Sequence, residues 1–340
     1  MILYIGNILS SKGLNPPPIE FLQYKMHKSL NIELIIASNK KNILLRFFHM
    51  NYIFWFNVRK ASLILIDVYS TKAFYYAFYF SFFSWLFSIN YIPIIHGGDI
   101  NRRIRKNKWL TNFLFKKAVN NISPSKYIFN IFLKNNFQVE YIPNSIDFTL
   151  YPLKHRKTIS PRLLWVRSFH EIYNPQMAIY VFKKIINIYD NAILTMVGPD
   201  KDGSLKICER LSKEFNLNNK INFTGYLTKY EWIKIAGKHD IFLNTSNIDN
   251  MPITILEAMA MGIPIVSTNI GGIPYILNNE NNALLVEAND IEQMTYHINT
   301  IIKNPSYAYK LSMKAFEDSK EYSIDAIFPK WKKIINKYLK

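Results

Sequence analysis

Cysteine is nearly absent from this chain. Cys208 stands alone among 340 residues, so no disulfide can form within the chain, and a reducing compartment fits. No long apolar run is present either. The best candidate, Ala73 to Asn90, is dense in Phe, Tyr and Trp but is broken by Ser81, Ser84, Ser88 and Asn90, whereas a membrane span needs about 20 apolar residues. The first residues, Met1-Ile-Leu-Tyr-Ile-Gly6, have no basic region and too little apolar length for a signal peptide; they read as the first strand of a sheet. Neither a Gly-x4-Gly-Lys-Ser/Thr loop nor a Gly-x-Gly-x-x-Gly fingerprint occurs, which removes two common phosphate cradles. No His, Cys and carboxylate cluster has metal-ligand spacing, so no metal site is expected. Acidic residues are scarce in the first half: residues 1–150 hold 18 Lys and Arg against 6 Asp and Glu.

Nearly half of the residues, 49%, are hydrophobic, and the length suffices for two domains with full cores. The net charge is +18. Its densest patch runs through Arg102, Arg103, Arg105, Lys106, Lys108, Lys116 and Lys117 with no acid between. An anionic partner for the first half is the consequence to test: lipid head groups, a phosphate-linked acceptor or nucleic acid. Apolar strand-like runs at Ile2–Gly6, Ile32–Ala37, Leu63–Asp67, Tyr91–His96 and Val139–Ile142 alternate with helical stretches. That alternation is the pattern of a doubly wound parallel sheet. Ala73–Asn90 occupies a crossover between two of these strands, so it is expected as a helix packed on the sheet or facing a membrane. Phe148 to Pro161 is polar, basic and bounded by proline, and reads as a hinge linker. A second series of strands then starts with Leu163-Leu-Trp-Val-Arg167.

The chain is organised around Asp249-Asn-Met-Pro-Ile-Thr-Ile-Leu-Glu257-Ala-Met-Ala-Met-Gly262. Asp249 or Asn250 suits a helix N-cap, Pro252 suits the first turn, and Gly262 followed by Pro264 suits the stop. A helix mouth of this kind offers N–H groups and a positive dipole end to an anion or a sugar hydroxyl. Two carboxylates, Asp249 at the mouth and Glu257 about two turns in, would bracket such a ligand. Arg167, leaving the first strand of the second half, suits bidentate contact with a diphosphate. The glycine amides of Gly271-Gly272, expected to open the next helix, also suit phosphate. In the first half, His96-Gly97-Gly98-Asp99 ends the fourth strand, where ligands of open parallel sheets gather.

These residues resemble the retaining nucleotide-sugar glycosyltransferases of family 4, also called glycosyl transferases group 1. The family signature is an acid, seven residues, then Glu-Ala-Met-Ala-x-Gly-x-Pro and two hydrophobics. Here it reads Asp249, then Glu257-Ala-Met-Ala-Met-Gly-Ile-Pro-Ile-Val266, with Asp in place of the usual Glu. The His-Gly-x-Asp step at His96, the Pro143-Asn-Ser-Ile-Asp147 segment with Ser145 replacing Gly, and the strand ending at Gly198 also match. Two departures stand out. The loop after the first strand keeps only Gly13 of a glycine-rich stretch, and the Lys that usually follows the arginine is replaced by Ile172-Tyr-Asn-Pro175. One of two cations for the leaving group is therefore missing, with His170 or a Lys from elsewhere as candidate substitutes.

The resemblance implies an α/β protein of GT-B class, two Rossmann-like doubly wound domains facing across a cleft. Residues 1–150 would form the acceptor domain, with the last helix, 324–340, packing back on it, and residues 151–323 would form the donor domain. It further implies a glycosyltransferase of hexosyl type (EC 2.4) working with retention and without metal or other cofactor. The donor contacts would be Arg167, Gly198, Asn250, Met251, Pro252, Ile253, Glu257, Gly271 and Gly272, and the acceptor contacts Gly13, Gly97, Gly98 and Asp99. His96, Asp249 and Arg167 would carry the chemistry. The partners implied are a nucleotide sugar and a glycan or lipid-linked acceptor of bacterial surface polysaccharide synthesis. A cytoplasmic location follows, with the basic, aromatic-rich first domain suited to peripheral contact with the anionic inner face of the plasma membrane. The rival readings are a non-catalytic nucleotide-sugar-binding homologue and a basic nucleic-acid-binding protein; the second lacks any helix-turn-helix, zinc or RNA-binding signature.

Overall fold

The structure is a computed structural model and describes residues 1–7, 18–40 and 42–339. The chain divides into two compact units: Met1–Ser145 with Tyr322–Lys340, and Ile146–Glu321.

The first unit alternates strand and helix through β1 (Ile2–Ile5), α1 (Pro18–Leu30), β2 (Leu34–Ala37), α2 (Ile43–Asn57), β3 (Leu63–Val68) and α3 (Phe74–Leu86). It continues through β4 (Tyr91–Ile95), α4 (Ile100–Lys106), α5 (Lys108–Lys116), β5 (Ile122–Ser123), α6 (Lys126–Lys134) and β6 (Glu140–Tyr141). Its described strands form one parallel sheet in the order β2-β1-β3-β4-β5-β6. Alternate strand residues point to opposite faces, and the cores follow that period. Leu3, Ile5, Ile64 and Ile66 pack with Met50 and Phe54 of α2, Phe74, Ala77 and Phe80 of α3, and Phe115 and Phe132. Ile2, Tyr4, Leu63 and Leu65 pack on the other side with Met26 of α1. The serines that interrupt the aromatic run of α3 are buried; the Ser84 hydroxyl donates back to the Phe80 carbonyl at 2.6 Å.

The second unit runs through β7 (Arg162–Val166), α7 (Pro175–Ile186), β8 (Ile193–Val197), α8 (Ser204–Glu214), β9 (Ile221–Gly225) and α9 (Lys229–Ala236). Then come β10 (Ile241–Asn244), α10 (Ile253–Ala260), β11 (Ile265–Thr268), β12 (Leu284–Val286), α11 (Ile291–Lys303) and α12 (Pro305–Ser319). Its parallel sheet has the order β12-β11-β10-β7-β8-β9. A final helix, α13 (Ile324–Tyr338), belongs to the first unit, where Ile327, Trp331, Ile334 and Ile335 join the core that holds Met26.

Both sheets reverse direction beside their first strand, between β1 and β3 in the first unit and between β7 and β10 in the second. Ligands of open parallel sheets bind at such switch points, beyond the carboxyl ends of the strands. Asn7 and Asp67 sit at the first, and Arg167 and Thr245 at the second.

Three local expectations are corrected. The segment 148–161 is not a free linker but is clasped by the second unit. Arg156 is buried, and its guanidinium donates to the carbonyls of Met261 (2.9 Å), Gly262 (3.0 Å) and His239 (3.1 Å) beside Asp240. A buried cation must be satisfied in this way, even with burial lowering its pKa to about 10. Gly271-Gly272 does not open an α-helix; only a 3-10 turn, Ile273–Tyr275, follows. Helix α10 starts later than the sequence suggests, with Pro252 at the cap position and no side-chain cap.

Candidate functional site

The second unit brings Arg167, Asp249 and Glu257 together. Arg167 emerges from β7 with its N–H on the Val197 carbonyl at 3.0 Å. Gly198, ending the neighbouring strand, has to be glycine, because a Cβ there would lie 1.8 Å from the Arg167 carbonyl oxygen. The Arg167 side chain forms an ion pair with Asp249 and lies over the Tyr173 ring at 4.7 Å. Tyr173 belongs to the segment where a second cation was expected; that segment offers an aromatic face instead. Burial lowers the arginine pKa, with Tyr173 and Glu257 opposing the shift. Its Nε is buried without a hydrogen-bond partner.

Asp249 therefore does not cap α10. Its Oδ1 accepts the Asn250 N–H at 2.9 Å, while its carbonyl accepts the Gly272 N–H, also at 2.9 Å. Gly271 has φ +55°, and a Cβ there would meet the same carbonyl at 2.1 Å. The two glycines thus fix the position of Asp249, and the Gly272 amide, assigned from the sequence to a phosphate, is occupied by protein. The mouth of α10 lacks a side-chain cap, which leaves the first-turn N–H groups at Ile253 as donors for an anion or hydroxyl. Met251 and Pro252 are buried against this turn.

Glu257 lies four residues into α10, about one turn, and is buried. Its Oε1 accepts the Tyr151 hydroxyl at 2.7 Å and forms an ion pair with Lys229. Its Oε2 is buried with no hydrogen-bond partner. A buried carboxylate oxygen left unsatisfied is costly. Tyr151 feels the charge: burial and Glu257 push its hydroxyl pKa far up, so it is a donor at every physiological pH. Lys229 is the first residue of α9, held by the Thr228/Glu231 capping box, and its ammonium also lies near the Trp232 and Tyr151 rings at 5.6 and 5.9 Å.

Sequence reasoning missed Lys229 and Tyr151. Nothing local in the sequence linked either residue to Glu257. His170, one suggested substitute for the missing cation, is engaged locally: its Nδ1 accepts the Ile172 N–H at 3.2 Å and lies 3.6 Å from Asp202.

In the first unit His96 follows β4, with its Nε2 2.9 Å from Asp67 Oδ1 and its ring stacked on Tyr69 at 5.4 Å. Asp67 is buried on β3 and orients the imidazole; its partnership with His96 is a second feature the sequence did not reveal. Burial of their own hydroxyls, and after it the Asp67 charge, raises the Tyr4 and Tyr69 pKa values. Gly97 permits close approach to the Ser70 amide, 2.4 Å from where a Cβ would be. After Gly98, Asp99 stands at the start of α4 without capping it and faces Arg102 at 3.8 Å. Asp99, Arg102, Arg103 and Lys106 line a cavity of about 240 Å³. A second cavity, about 420 Å³, is mostly apolar, with Phe47, Met50 and Ala73 beside Arg46, Lys72 and Tyr69. Gly13, assigned to the acceptor from the sequence, lies outside the described residues. Among the described residues no group of three or more His, Cys, Asp or Glu is placed to hold a metal ion.

Comparison with known proteins places this geometry. Residues 154–318 match the family described as Glycosyl transferases group 1. An uncharacterized glycosyltransferase of Haemophilus influenzae is 27% identical over 157 residues, 46% of this chain and 43% of that protein. The UDP-Gal:alpha-D-GlcNAc-diphosphoundecaprenol alpha-1,3-galactosyltransferase of Escherichia coli is 24% identical over 238 residues, 62% of this chain and 59% of that protein. The chain thus spans about half the length of the curated relatives it matches. Among solved structures, sucrose-phosphate synthase of Thermosynechococcus elongatus superposes with a TM-score of 0.80 at 13% identity, covering 99% of this chain and 98% of that one. Anabaena HepE, solved in complex with UDP and glucose, gives 0.78 at 14% identity, covering 98% and 99%. The fold is GT-B, and its second unit carries the Glycosyl transferases group 1 match.

Proposed function

We propose that the protein is a glycosyltransferase that moves a hexose from a nucleotide-diphosphate sugar, bound by the second unit, to an acceptor bound by the first. The observation that carries this reading is the buried, unpartnered Oε2 of Glu257, one turn inside a helix whose mouth has no side-chain cap. A vicinal diol such as a ribose satisfies that oxygen, and a sugar hydroxyl or phosphate oxygen satisfies the helix mouth.

Glycosyl transfer passes through an oxocarbenium-like state, so the enzyme must stabilise a departing diphosphate and a cationic anomeric carbon. In this reading Arg167 and the first-turn amides of α10 serve the diphosphate. Asp249 and the backbone of Asn250–Ile253 orient the sugar, and Glu257 holds the ribose. Asp67 fixes His96, assigned to a sugar or acceptor hydroxyl. The anomeric configuration is retained. Positive protein groups do the neutralising, so chelation with EDTA is expected to leave the rate unchanged. On the acceptor side, the cavity lined by Arg102, Arg103 and Lys106 and the apolar one beside α2 suit a phosphate-linked glycan or lipid-linked intermediate of bacterial surface polysaccharide synthesis. A cytoplasmic enzyme in peripheral contact with the inner face of the plasma membrane belongs to the same reading.

HepE was solved with UDP, so uridine diphosphate is the first ligand to titrate calorimetrically, followed by guanosine and adenosine diphosphates. No heat with any of the three would refute the donor site. A non-catalytic nucleotide-sugar binder is the second reading, favoured by the Arg167–Asp249 pair, which already engages the one cation assigned to the leaving group. Donor binding without transfer or slow donor hydrolysis would select it.

A further inference from the structure

Helix α2 is built the wrong way round for a water-facing helix. Its inner side buries Met50 and Phe54 in the core. Its outer side presents Leu44, Leu45, Phe48, Tyr52, Trp55 and Phe56, each between 44% and 69% exposed. At 100° per residue these six fall on one continuous arc that contains no charged residue. The helix is firmly started, since the Asn42 side chain accepts from the Leu44 and Leu45 amides at 2.9 and 3.2 Å. The arc is therefore a preformed feature of a capped, packed helix.

The apolar surface continues onto neighbouring elements. Trp55 meets Phe83 and Phe87 at the end of α3, at 5.0 and 5.7 Å between ring centroids. Trp85 meets Phe113 of α5 at 5.4 Å, and Trp109 meets Phe113 at 6.2 Å. Trp85, Leu86, Phe87 and Trp109 are all exposed. Soluble monomers rarely leave a contiguous patch of this kind open.

Charge decides what covers it. Residues 41–117 contain twelve Lys and Arg and two acids, Asp67 and Asp99. Asp67 is buried and Asp99 faces Arg102. Arg59 and Lys60 follow α2 directly and are exposed, and the Lys117 ammonium lies 5.9 Å from the Trp85 ring centroid. A second copy of the chain docking here would set these cations against each other. An anionic bilayer meets both features at once: head groups take the Lys and Arg, and the acyl boundary takes the Trp, Phe and Leu. Among the described residues no helix is long and apolar enough to cross a membrane, so α2 would lie in the interface.

We propose that the outer arc of α2, continued by the end of α3 and by Trp109, is the surface through which this protein docks on an anionic lipid bilayer. The proposal deepens the membrane contact in the reading above and does not depend on the donor site.

Flotation of the full chain with vesicles tests it, using phosphatidylcholine alone or with roughly a third phosphatidylglycerol. The expected result is co-flotation with the anionic vesicles only, weakening as salt rises. Brominated acyl chains should quench tryptophan fluorescence. The variant Leu44→Ser/Phe48→Ser/Phe56→Ser should bind the anionic vesicles at least roughly tenfold more weakly while keeping the heat of uridine diphosphate binding. Arg59→Ala and Lys60→Ala should each cost roughly fivefold in partition. Wild-type protein that ignores anionic vesicles, or a triple variant that floats like wild type, would overturn the proposal. So would a wild-type dimer that the triple variant splits, since a second copy would then be the occupant. Absence of nucleotide binding by the wild type would count against the donor reading and leave the vesicle result standing.

Discussion

Replacing Glu257 with Gln removes one charge and almost no volume from the centre of the second unit. Two consequences separate. Lys229, its side chain only 18% exposed, loses its counter-ion. Breaking a buried pair costs about 3–5 kcal/mol. Lys229 keeps some access to water, so the lower end applies: about 3 kcal/mol, or roughly 6–12 °C in the melting of a unit of this size. The Tyr151 bond survives, because the amide oxygen still accepts. The second consequence concerns the donor. A carboxylate oxygen accepting ribose hydroxyls is worth about 1.5–3 kcal/mol, so uridine diphosphate should bind roughly 10- to 100-fold more weakly. Adding Lys229→Met tells the two apart. The double variant should recover most of the lost thermal stability and none of the lost affinity, read by calorimetry on the same preparation. Affinity that returns with stability would mean that Glu257 is a structural ion-pair partner and that the donor site lies elsewhere.

Other outcomes follow from the same geometry. Gly198→Ala and Gly271→Ala force a Cβ to within 1.8 and 2.1 Å of the Arg167 and Asp249 carbonyl oxygens, and each should cost about 1–3 kcal/mol together with donor affinity. Gly203→Ala meets nothing within 4 Å at φ +90° and should cost only the left-handed backbone penalty of about 1–2 kcal/mol, with donor affinity intact. Asp67→Asn should lower kcat by up to about a hundredfold through a misplaced His96, with uridine diphosphate affinity unchanged; an equal loss in binding would deny His96 its assigned role. Burial pushes the His239 pKa below its ordinary 6.5, while the ring is held between the Ile235 carbonyl at 2.8 Å and the Thr195 hydroxyl at 2.9 Å. The unfolded chain then takes up the proton first, so the contribution is complete above pH 6.5 and is lost as pH falls through 6.5 toward the depressed folded value. His297, lowered by burial as well, acts in the same direction. A His239→Gln variant should flatten the fall of melting temperature with acid.

The parts of this molecule that local physics determines were legible. The strands at Leu63, Tyr91 and Leu163 follow from apolar runs between turn residues. The crossover helix α3 follows from its place between two such runs, where serines on its core side cannot disqualify it. What the sequence hides is pairing across distance. Lys229 reaches Glu257 from another helix, and Tyr151 reaches it across 106 residues, from a stretch whose polar composition suggests a linker. The cap of α10 was misread for a related reason. Asp249 has the right chemistry to cap a helix, but α10 begins only at Ile253 with Pro252 at the cap position, and the Asp249 carboxylate is held instead by Arg167 and by the Asn250 N–H. The outer arc of α2 was hidden as well: Leu44, Leu45, Phe48, Tyr52, Trp55 and Phe56 are as apolar as the Met50 and Phe54 that face the core, so hydrophobicity alone does not say which side is buried.

The missing lysine takes on a different meaning in this light. Read from the sequence, its absence leaves a diphosphate site one charge short. In the structure the count that matters is local, and each cation has its own carboxylate: Arg167 with Asp249, Lys229 with Glu257. A further lysine beside Arg167 would be a buried cation with no acid left to meet it, at a cost of several kcal/mol. Tyr173 occupies that side instead, stabilising the guanidinium through its ring while adding no charge. Arg167, partly offset by Asp249, must then share the leaving group with the first-turn amides of α10: fixed dipoles that need no counter-ion when the site is built and no reorganisation when negative charge develops. On this argument a positive charge supplied at position 173 should not rescue anything. Tyr173→Lys should destabilise the second unit and bind uridine diphosphate no more tightly than wild type, and a variant that binds more tightly would show that the site is short of cations after all.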